Sequence, residues 1–409
     1  MSIRIVANTM LTRRRALAGI AGMAAGAGFP VLAAPAPGAV PVDALRTKRL
    51  IVLSLVGGND GLNTVVPVAD PLYRKLRPTV GLPERKVLPL DAMLALHPAL
   101  TSTMQMFQRG ELAIVQDVGY PRPDLSHFVS AAIWESADPQ RGLSAESGWW
   151  GEVVMQNRAA FDAAAFDAAA VTFESSGAFA AGRGVPLMRA RQDVSALLAA
   201  PQAASIDARA LTGEESRALG DMVAARTDAQ ARFARRLKHV QPPHWRPYEE
   251  AIDVQIQLTD WFLTNGVTTP LIRMTLGGFD THSELLARHG ALMAVLDRTL
   301  EDLRRRLCAA GLWDDTVVLV HSEFGRRPAE NGHGGTDHGT AGPVWLLGGR
   351  VQGGIHGPRA SLENLDAAGN PVFCTDFRRV YATVATGLFG LSVNPFADRG
   401  HAPLPVRLV

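Results

Sequence analysis

Several short apolar runs in this 409-residue chain end abruptly in glycines, acids and histidines, and this pattern restricts the fold more than any other feature. Leu50–Val56 leads into Gly-Gly-Asn-Asp-Gly, Leu271–Leu276 into Gly-Gly-Phe-Asp-Thr-His, and Thr316–His321 into Ser-Glu-Phe-Gly-Arg. Apolar runs of this length, bounded by turn residues, are typical of buried strands. Because helical patterns alternate with them, we expect an α/β fold with a largely parallel central sheet sandwiched by helices.

The polar residues that follow these strands are candidates for a metal site. In an open α/β sheet, ligands bind outside the carboxyl ends of the strands. Carboxylates and imidazoles gathered at that edge suit a divalent metal, either Zn, Mn or Mg. The candidate ligands are Asp60, Asp280, His282, Glu323 and His338. Each alone has an ordinary explanation as a turn or helix-cap residue, so their shared position after strands is what favours the site.

The N-terminal segment predicts export. Thr12-Arg-Arg-Arg-Ala-Leu17 opens an Ala/Gly-rich apolar run that ends in small residues near Ala34, which is the layout of a twin-arginine signal peptide. We therefore expect a signal at 1–34, a periplasmic or secreted protein, and no stable membrane insertion after signal removal. A membrane anchor is the alternative, although the glycines make this run a poor spanning helix.

The rest of the chain is predicted to form one large domain. Residues 35–47 are expected to be a linker and 48–409 an α/β domain. An Ala-rich stretch near 176–245 predicts a helical insertion, either a loosely packed lid near the carboxyl edge of the sheet or a plain helical excursion. Cys308 is expected in the core rather than in a disulfide with Cys374.

The charge balance restricts the partners. Lys and Arg together number 41 against 39 Asp and Glu, so the chain is nearly neutral. This balance argues against a nucleic-acid partner and against binding to an anionic membrane surface.

Six short motifs extend across most of the chain beyond the N-terminal segment. They are Gly57–Asn63, Gly119–Phe128, Gly277–His282, Ser322–Arg326, Gly335–Gly339 and Thr375–Ala382. Their sequences and order resemble those of the DUF1501 family of exported bacterial proteins. That family in turn resembles the alkaline phosphatase and sulfatase superfamily, which implies an alkaline-phosphatase-like sheet between helices, with two metals flanking a nucleophilic Ser or Thr.

The resemblance also implies roles for individual residues. Asp60 matches the acid after the first strand of the superfamily, and Asp280 with His282 resembles its Asp/His pair on the first metal. Glu323 falls where the superfamily has an acid after a Ser, and His338 resembles its last metal histidine. Phe324 stands where a histidine of the second metal is expected.

Two residues are candidates for the nucleophile. Ser126 falls where a strand end meets a helix start, so the helix N-terminus would stabilise its alkoxide, although a capping hydroxyl is an equally ordinary role. Thr336 is the alternative. His127 is expected to be an acid/base group or a further ligand. Arg326 and Arg327 are candidates for clamping an anionic ester, unless they are merely solvated.

These features favour a metal-dependent hydrolase whose substrate is a small anionic phosphate or sulfate ester. The alternative is a non-catalytic exported protein that keeps the fold for binding or assembly. Phe324 and the open choice of nucleophile favour that alternative, whereas the acid and histidine clusters favour the enzyme.

Overall fold

The computed structural model describes residues 42–174, 177–190, 213–244, 250–358 and 361–409. The predicted signal peptide at 1–34 and most of the predicted linker lie outside the described residues. The end of that linker, Val42–Thr47, forms a short helix whose Leu45 is buried.

Fourteen strands are described. They are β1 Arg49–Leu55, β2 Val65–Val66, β3 Leu88–Pro89, β4 Ala95–Leu96, β5 Leu112–Gly119, β6 Ala170–Thr172, β7 Leu187–Arg189, β8 Leu271–Leu276, β9 Thr316–Ser322, β10 Arg326–Glu330, β11 Thr336–His338, β12 Gly342–Leu347, β13 Gly354–His356 and β14 Thr375–Asp376.

Nine of these strands form the central sheet. Their order is β13-β5-β12-β9-β1-β8-β6-β7, and β14 also pairs with β5. Only β12 runs antiparallel to its neighbours, β5 and β9, among the pairings described for this sheet. The predicted largely parallel sheet is therefore confirmed. Strands β10 and β11 form an antiparallel pair, and β2, β3 and β4 form a small separate sheet.

Helices cover both faces of the central sheet. The longer ones are Thr101–Gln108, His127–Ser136, Trp149–Gln156, Arg158–Ala164, Glu214–Leu237, Ala251–Thr264, Leu285–Ala309 and Phe377–Thr383, which continues into a π-helical turn at Val384–Leu388. Short helices at Gly61–Thr64 and Pro71–Leu76 follow β1 and β2. The mixed α/β class with helices on both sides of the sheet is confirmed.

The core divides at the sheet because successive residues of a strand point to opposite faces. In β1, Ile51 and Leu53 pack with the helices Ala251–Thr264 and Leu285–Ala309. Leu50 and Val52, in contrast, belong to the cluster on the other face, with Trp134 and Tyr381. Central strands buried on both faces explain why the sequence shows continuous apolar runs rather than alternation.

The stretch predicted as a helical insertion contributes to the core where it is described. β7 extends the edge of the central sheet, and the helix Glu214–Leu237 buries Ala229, Phe233 and Leu237 against it. Phe233 contacts the ring of Phe262 at 5.4 Å between centroids. The sequence suggested loose packing because alanine dominates this stretch, but a spacing of four residues places the few large side chains on one helix face. Residues 191–212 lie outside the described part.

Both cysteines are free and exposed. The expectation that Cys308 packs in the core is wrong, because it lies on the solvent side of the helix Leu285–Ala309. None of the helices that the structure describes is long and apolar enough to cross a bilayer.

Asp117 lies at an irregularity in β5. The pairing of β5 with β12 shifts register between Val115 and Val118, and Asp117 has a positive φ of 47°. Its carboxyl is buried, and this desolvation raises its pKa to about 7.

Replacing Asp117 with Asn should remove a pH dependence of stability. Because the folded pKa is raised, the stabilising contribution of the protonated carboxyl is full below the unfolded pKa and is lost as the pH rises through about 7. Between about pH 5 and about pH 8, the free energy of unfolding should therefore fall more in the parent than in Asp117→Asn, since Asn keeps the shape and tolerates a positive φ. Denaturant titrations at both pH values measure this, and parallel changes in the two proteins would contradict it.

Candidate metal site

The loops that follow β1, β8 and β9 leave the sheet at the same edge. β1 lies between β8 and β9, is parallel to both, and ends in register with them, since Leu55 pairs with Leu276 on one side and Ser322 on the other. The polar residues after these strands are therefore neighbours in space, as the sequence predicted.

Two glycines let these loops approach each other closely. Gly57 has a φ of 119°, and a Cβ on it would lie 2.4 Å from the backbone nitrogen of Asp280. A Cβ on Gly335 would lie 2.2 Å from the carbonyl carbon of His282. No larger residue fits at either position without moving the backbone that carries Asp280 and His282.

Asp280 is the centre of a cluster of imidazoles. Its Oδ1 lies 3.0 Å from Nε2 of His282, 3.2 Å from Nε2 of His338 and 3.6 Å from Nε2 of His127. Ligand atoms of His127, Asp280 and His338 all lie within 4.8 Å of one another. The side chain of Asp280 is 48% exposed, so the cluster is open to solvent.

Two of the histidines are oriented by acceptors on their far side. Nδ1 of His127 lies 2.8 Å from Oε1 of Glu323, and Nδ1 of His338 lies 2.8 Å from the carbonyl oxygen of Leu125. An acceptor at Nδ1 selects the tautomer that carries its proton there, which leaves the lone pair of Nε2 directed at Asp280. This is the arrangement in which protein histidines bind metals.

His282 also has an acceptor near its Nδ1. Its Nδ1 lies 3.3 Å from Oδ1 of Asp337, and its Nε2 lies 3.0 Å from Nε2 of His338. With protons on both Nδ1 atoms, two lone pairs would face each other at that distance and repel. A proton or a metal cation between the rings relieves this repulsion. The geometry therefore favours a positive charge between the two Nε2 atoms.

The protonation of the cluster also suits a cation. Burial alone would raise the pKa of Asp280, but the hydrogen bond from Arg326 and the positive charge of its guanidinium lower it to about 2. Burial lowers the pKa of His338, which keeps its imidazole neutral. A charged carboxylate beside a neutral imidazole is the state that binds a divalent metal.

The residues present therefore fit a divalent metal ion. His127 Nε2 is a buried nitrogen with no hydrogen-bond partner among the described residues, and it faces the cluster. Three imidazoles and one carboxylate match the nitrogen and oxygen ligands that zinc prefers in catalytic sites. His127, Asp280 and His338 form the convergent set, with His282 as the adjoining fourth donor.

Glu323 supports the cluster from behind. It is buried, and Oε1 accepts hydrogen bonds from the backbone N–H of Gly57 at 2.8 Å and from Nδ1 of His127. Glu323 was predicted as a ligand, whereas His127 was predicted chiefly as an acid/base group. In the folded chain His127 reaches Asp280, and Glu323 holds the ring of His127 in place.

Asp60 lies outside the converging set. It is fully buried; Oδ1 is 2.7 Å from Nη1 of Arg77, and Oδ2 accepts the hydroxyl of Thr336 at 2.8 Å. Although burial alone would raise the pKa of Asp60, the charge of Arg77 and hydrogen bonds keep it below its ordinary value. Both oxygens of the carboxylate already bind groups of the protein, so the predicted role as metal ligand does not match its surroundings. No local sequence pattern identifies Arg77 as its partner.

The two candidate nucleophiles differ in availability. The hydroxyl of Thr336 is completely buried and donates to Asp60, so it is not free to attack a substrate. Ser126 is exposed, occupies the N-cap position of the helix His127–Ser136, and makes no side-chain capping bond. The alternative explanation of Ser126 as a capping hydroxyl is therefore not realised.

Phe324 packs between two of the imidazoles. Its ring centroid lies 4.8 Å from that of His127 and 4.7 Å from that of His338. A buried apolar ring thus fills the position where the resemblance places a histidine of the second metal.

Arg326 is a buried cation beneath the cluster. Its guanidinium binds Oδ1 of Asp280 at 2.6 Å and the carbonyl oxygens of Gly58 at 2.7 Å and Thr336 at 2.8 Å. It is 2% exposed and is occupied by these bonds. The expectation that Arg326 clamps a substrate anion is wrong, because its donors are used within the protein.

The fold and the site define an α/β protein that gathers three histidines and an aspartate at the carboxyl edge of a largely parallel sheet. The chain belongs to the DUF1501 family, described as "Protein of unknown function", whose family model matches residues 47–384. No curated protein of matching sequence was found.

Comparison with solved structures gives distant likenesses. Ps i-CgsB is 10% identical, with a TM-score of 0.44 over 87% of this chain and 75% of that one. A protein in the alkaline phosphatase superfamily from Vibrio parahaemolyticus is 10% identical, with a TM-score of 0.35 over 75% and 62% of the two chains. The C-terminal periplasmic domain of EcEptC from Escherichia coli, in complex with Zn, is 9% identical, with a TM-score of 0.36 over 74% and 72%. The roles of the residues here rest on the geometry of this chain.

His338→Ala should weaken Zn²⁺ binding, because it removes a converging nitrogen. We expect the affinity to fall by more than the roughly 10–100-fold that loss of an outer hydrogen-bond partner costs. His333→Ala is the matched control, since His333 is exposed in the nearby turn and faces no other imidazole in the described contacts. Competition with a chromophoric chelator measures both affinities, and equal values for the two variants would contradict the site.

Arg326→Ala should lower the free energy of unfolding by about 3–5 kcal/mol, because it leaves buried carbonyl groups and Asp280 without their cation. Arg326→Lys should recover only part of this, since a single ammonium cannot reproduce the planar fork. The control is Arg327→Ala, a half-buried neighbour for which we expect a loss of less than about 1 kcal/mol. Urea titration of the three variants tests this, and similar losses for Arg326→Ala and Arg327→Ala would refute it.

Proposed function

We propose that this protein is an exported, metal-dependent hydrolase of phosphate or sulfate esters. The observation that carries the proposal is the set of imidazoles whose Nδ1 atoms are held by acceptors and whose Nε2 atoms face Asp280. His127, Asp280 and His338 would hold the ion, with His282 beside them. A divalent ion bound there would supply a Lewis acid for an ester oxygen.

Ser126 is the proposed nucleophile. Its hydroxyl is exposed and makes no capping bond at the start of the helix His127–Ser136. The unpaired backbone N–H groups of that first turn favour an alkoxide and an incoming anion near it. Ser126 directly precedes His127, so the proposed nucleophile and one proposed ligand are fixed by the same turn of backbone.

Arg326 supplies fixed positive charge close to the reacting group. Its guanidinium is held 2.6 Å from Asp280 and also lies 3.4 Å from Nε2 of His282. A buried cation that does not need to reorganise stabilises negative charge that develops on transferring oxygens. We infer that Arg326 supplies part of the charge for which the superfamily uses a second metal, since Phe324 contributes no ligand.

A non-catalytic exported binding protein is the second candidate. Phe324 favours it, because its ring packs against His127 and His338 where a second ion would need a ligand. In that case the cluster would bind a metal for stability or assembly, and no ester would be turned over.

Ser126→Ala separates these alternatives. With Zn²⁺, Mn²⁺ or Mg²⁺ supplied, hydrolysis of 4-nitrophenyl phosphate or 4-nitrophenyl sulfate should fall by roughly 100-fold or more, since the nucleophile is lost. Zn²⁺ affinity should not change, because the converging donors remain. Ser144→Ala, at another exposed serine, is the control.

The possible outcomes differ for each alternative. If Ser126→Ala hydrolyses the favoured ester as fast as the parent, the covalent route is wrong. If the parent binds metal but hydrolyses neither ester class, the binding-protein alternative replaces the enzyme.

A further inference from the structure

A cavity of about 450 Å³ opens beside the cluster of imidazoles around Asp280. His127 and Glu323 line it and also belong to the cluster or hold it in place. On one side the wall is the helix His127–Ser136, whose Ala131 and Ala132 leave space because they have only a methyl group. A ligand that reaches the cluster therefore has an adjoining space to fill.

Part of the interior of this cavity consists of aromatic rings that pack against each other. Trp149 stacks on Tyr381 with ring centroids 4.2 Å apart, and Trp134 stacks on His321 at 4.5 Å. All four residues line the cavity. Flat, preformed aromatic walls bind apolar and planar groups well, since little side-chain freedom is lost on binding.

The mouth of the cavity is also apolar. Phe128 is 81% exposed and Leu143 is 69% exposed, and they are the two most exposed large apolar side chains among the described residues. Both line the cavity, together with the partly exposed Val56. Large apolar groups gathered around a cleft mark a binding site rather than ordinary surface.

One charged side chain in the wall of the cavity is already paired. Arg273 is 7% exposed and lines the cavity. Its charge is matched by ion pairs with Glu135 and Glu174. Because that charge is already balanced by two carboxylates, Arg273 does not make the cavity a site for a second anion.

We propose that this cavity binds the alcohol portion of the substrate, so that the ester is one of an aromatic or bulky apolar alcohol. This proposal rests on the proposed function and specifies the class of substrate for the same site. The anionic group would meet the cluster at His127, and the apolar part would lie along Trp134 and Trp149. Arg273 lies three residues before the end of β8, roughly 10 Å back from the edge of the sheet. The cavity therefore extends far enough behind the edge of the sheet for a bulky alcohol, whereas a sugar would leave its hydroxyls largely against apolar walls.

The first experiment needs no turnover. 2-Naphthol is titrated into the metal-free protein while tryptophan fluorescence is recorded, and saturable quenching is expected. Ala132→Phe should weaken this binding by at least about tenfold, because the new ring occupies the cavity, and Ala132→Leu should give an intermediate loss. Ala294→Phe is the matched control, since Ala294 is exposed on the helix Leu285–Ala309. Thermal denaturation of each variant establishes that it is folded.

The second experiment compares esters of one acid. With metal supplied, the parent should have a KM for 2-naphthyl phosphate at least about tenfold below that for glucose 6-phosphate, and Ala132→Phe should raise only the naphthyl value. Equal naphthol affinity in parent and folded Ala132→Phe, or a preference for the sugar phosphate, would overturn the inference. Naphthol binding that Ala132→Phe abolishes, with no hydrolysis of any ester, would support the apolar site while the proposed hydrolase fails.

Discussion

The site depends on one buried guanidinium. Arg326 lies at the start of β10, yet its donors bind carbonyl oxygens in the loop after β1 and in β11, together with the carboxylate of Asp280 after β8. Burying a cation costs several kcal/mol unless hydrogen bonds and an opposite charge compensate, and here they do. Because Arg326 binds segments that are distant in the sequence, the position of Asp280 depends on how all of these segments pack at the edge of the sheet.

The imidazoles reach Asp280 by the same kind of long-range support. His127 begins a helix after β5, whereas His338 ends β11, and each is turned by an acceptor from another segment. Such outer partners fix the tautomer and the ring direction. A cluster assembled in this way is preorganised, while the half-exposed Asp280 keeps it accessible. The apolar cavity beside it then offers one direction for a bound molecule to extend.

Much of the fold was predictable because its signals are local. The apolar runs that became β1, β8 and β9 are continuous since both faces of the sheet are covered, and the turns after them carry Asp280 and Glu323. Of the five residues predicted to converge, Asp280, His282 and His338 lie within hydrogen-bonding distance of one another. Asp60 also follows a strand, but its surroundings differ, because a residue type and a strand end do not reveal which charge will be buried beside it.

The sequence by itself determined which strands are followed by polar clusters and which kinds of donors those clusters carry. It also determined the membership in the DUF1501 family. Only the tertiary structure decided that Arg77 forms an ion pair with Asp60 and that Glu323 forms a hydrogen bond with His127. It also decided that Thr336 is buried while Ser126 is exposed. It also produced the cavity beside the cluster. The physical reason is that charge pairing, burial and empty space depend on which distant segments pack together, and no local pattern encodes that choice.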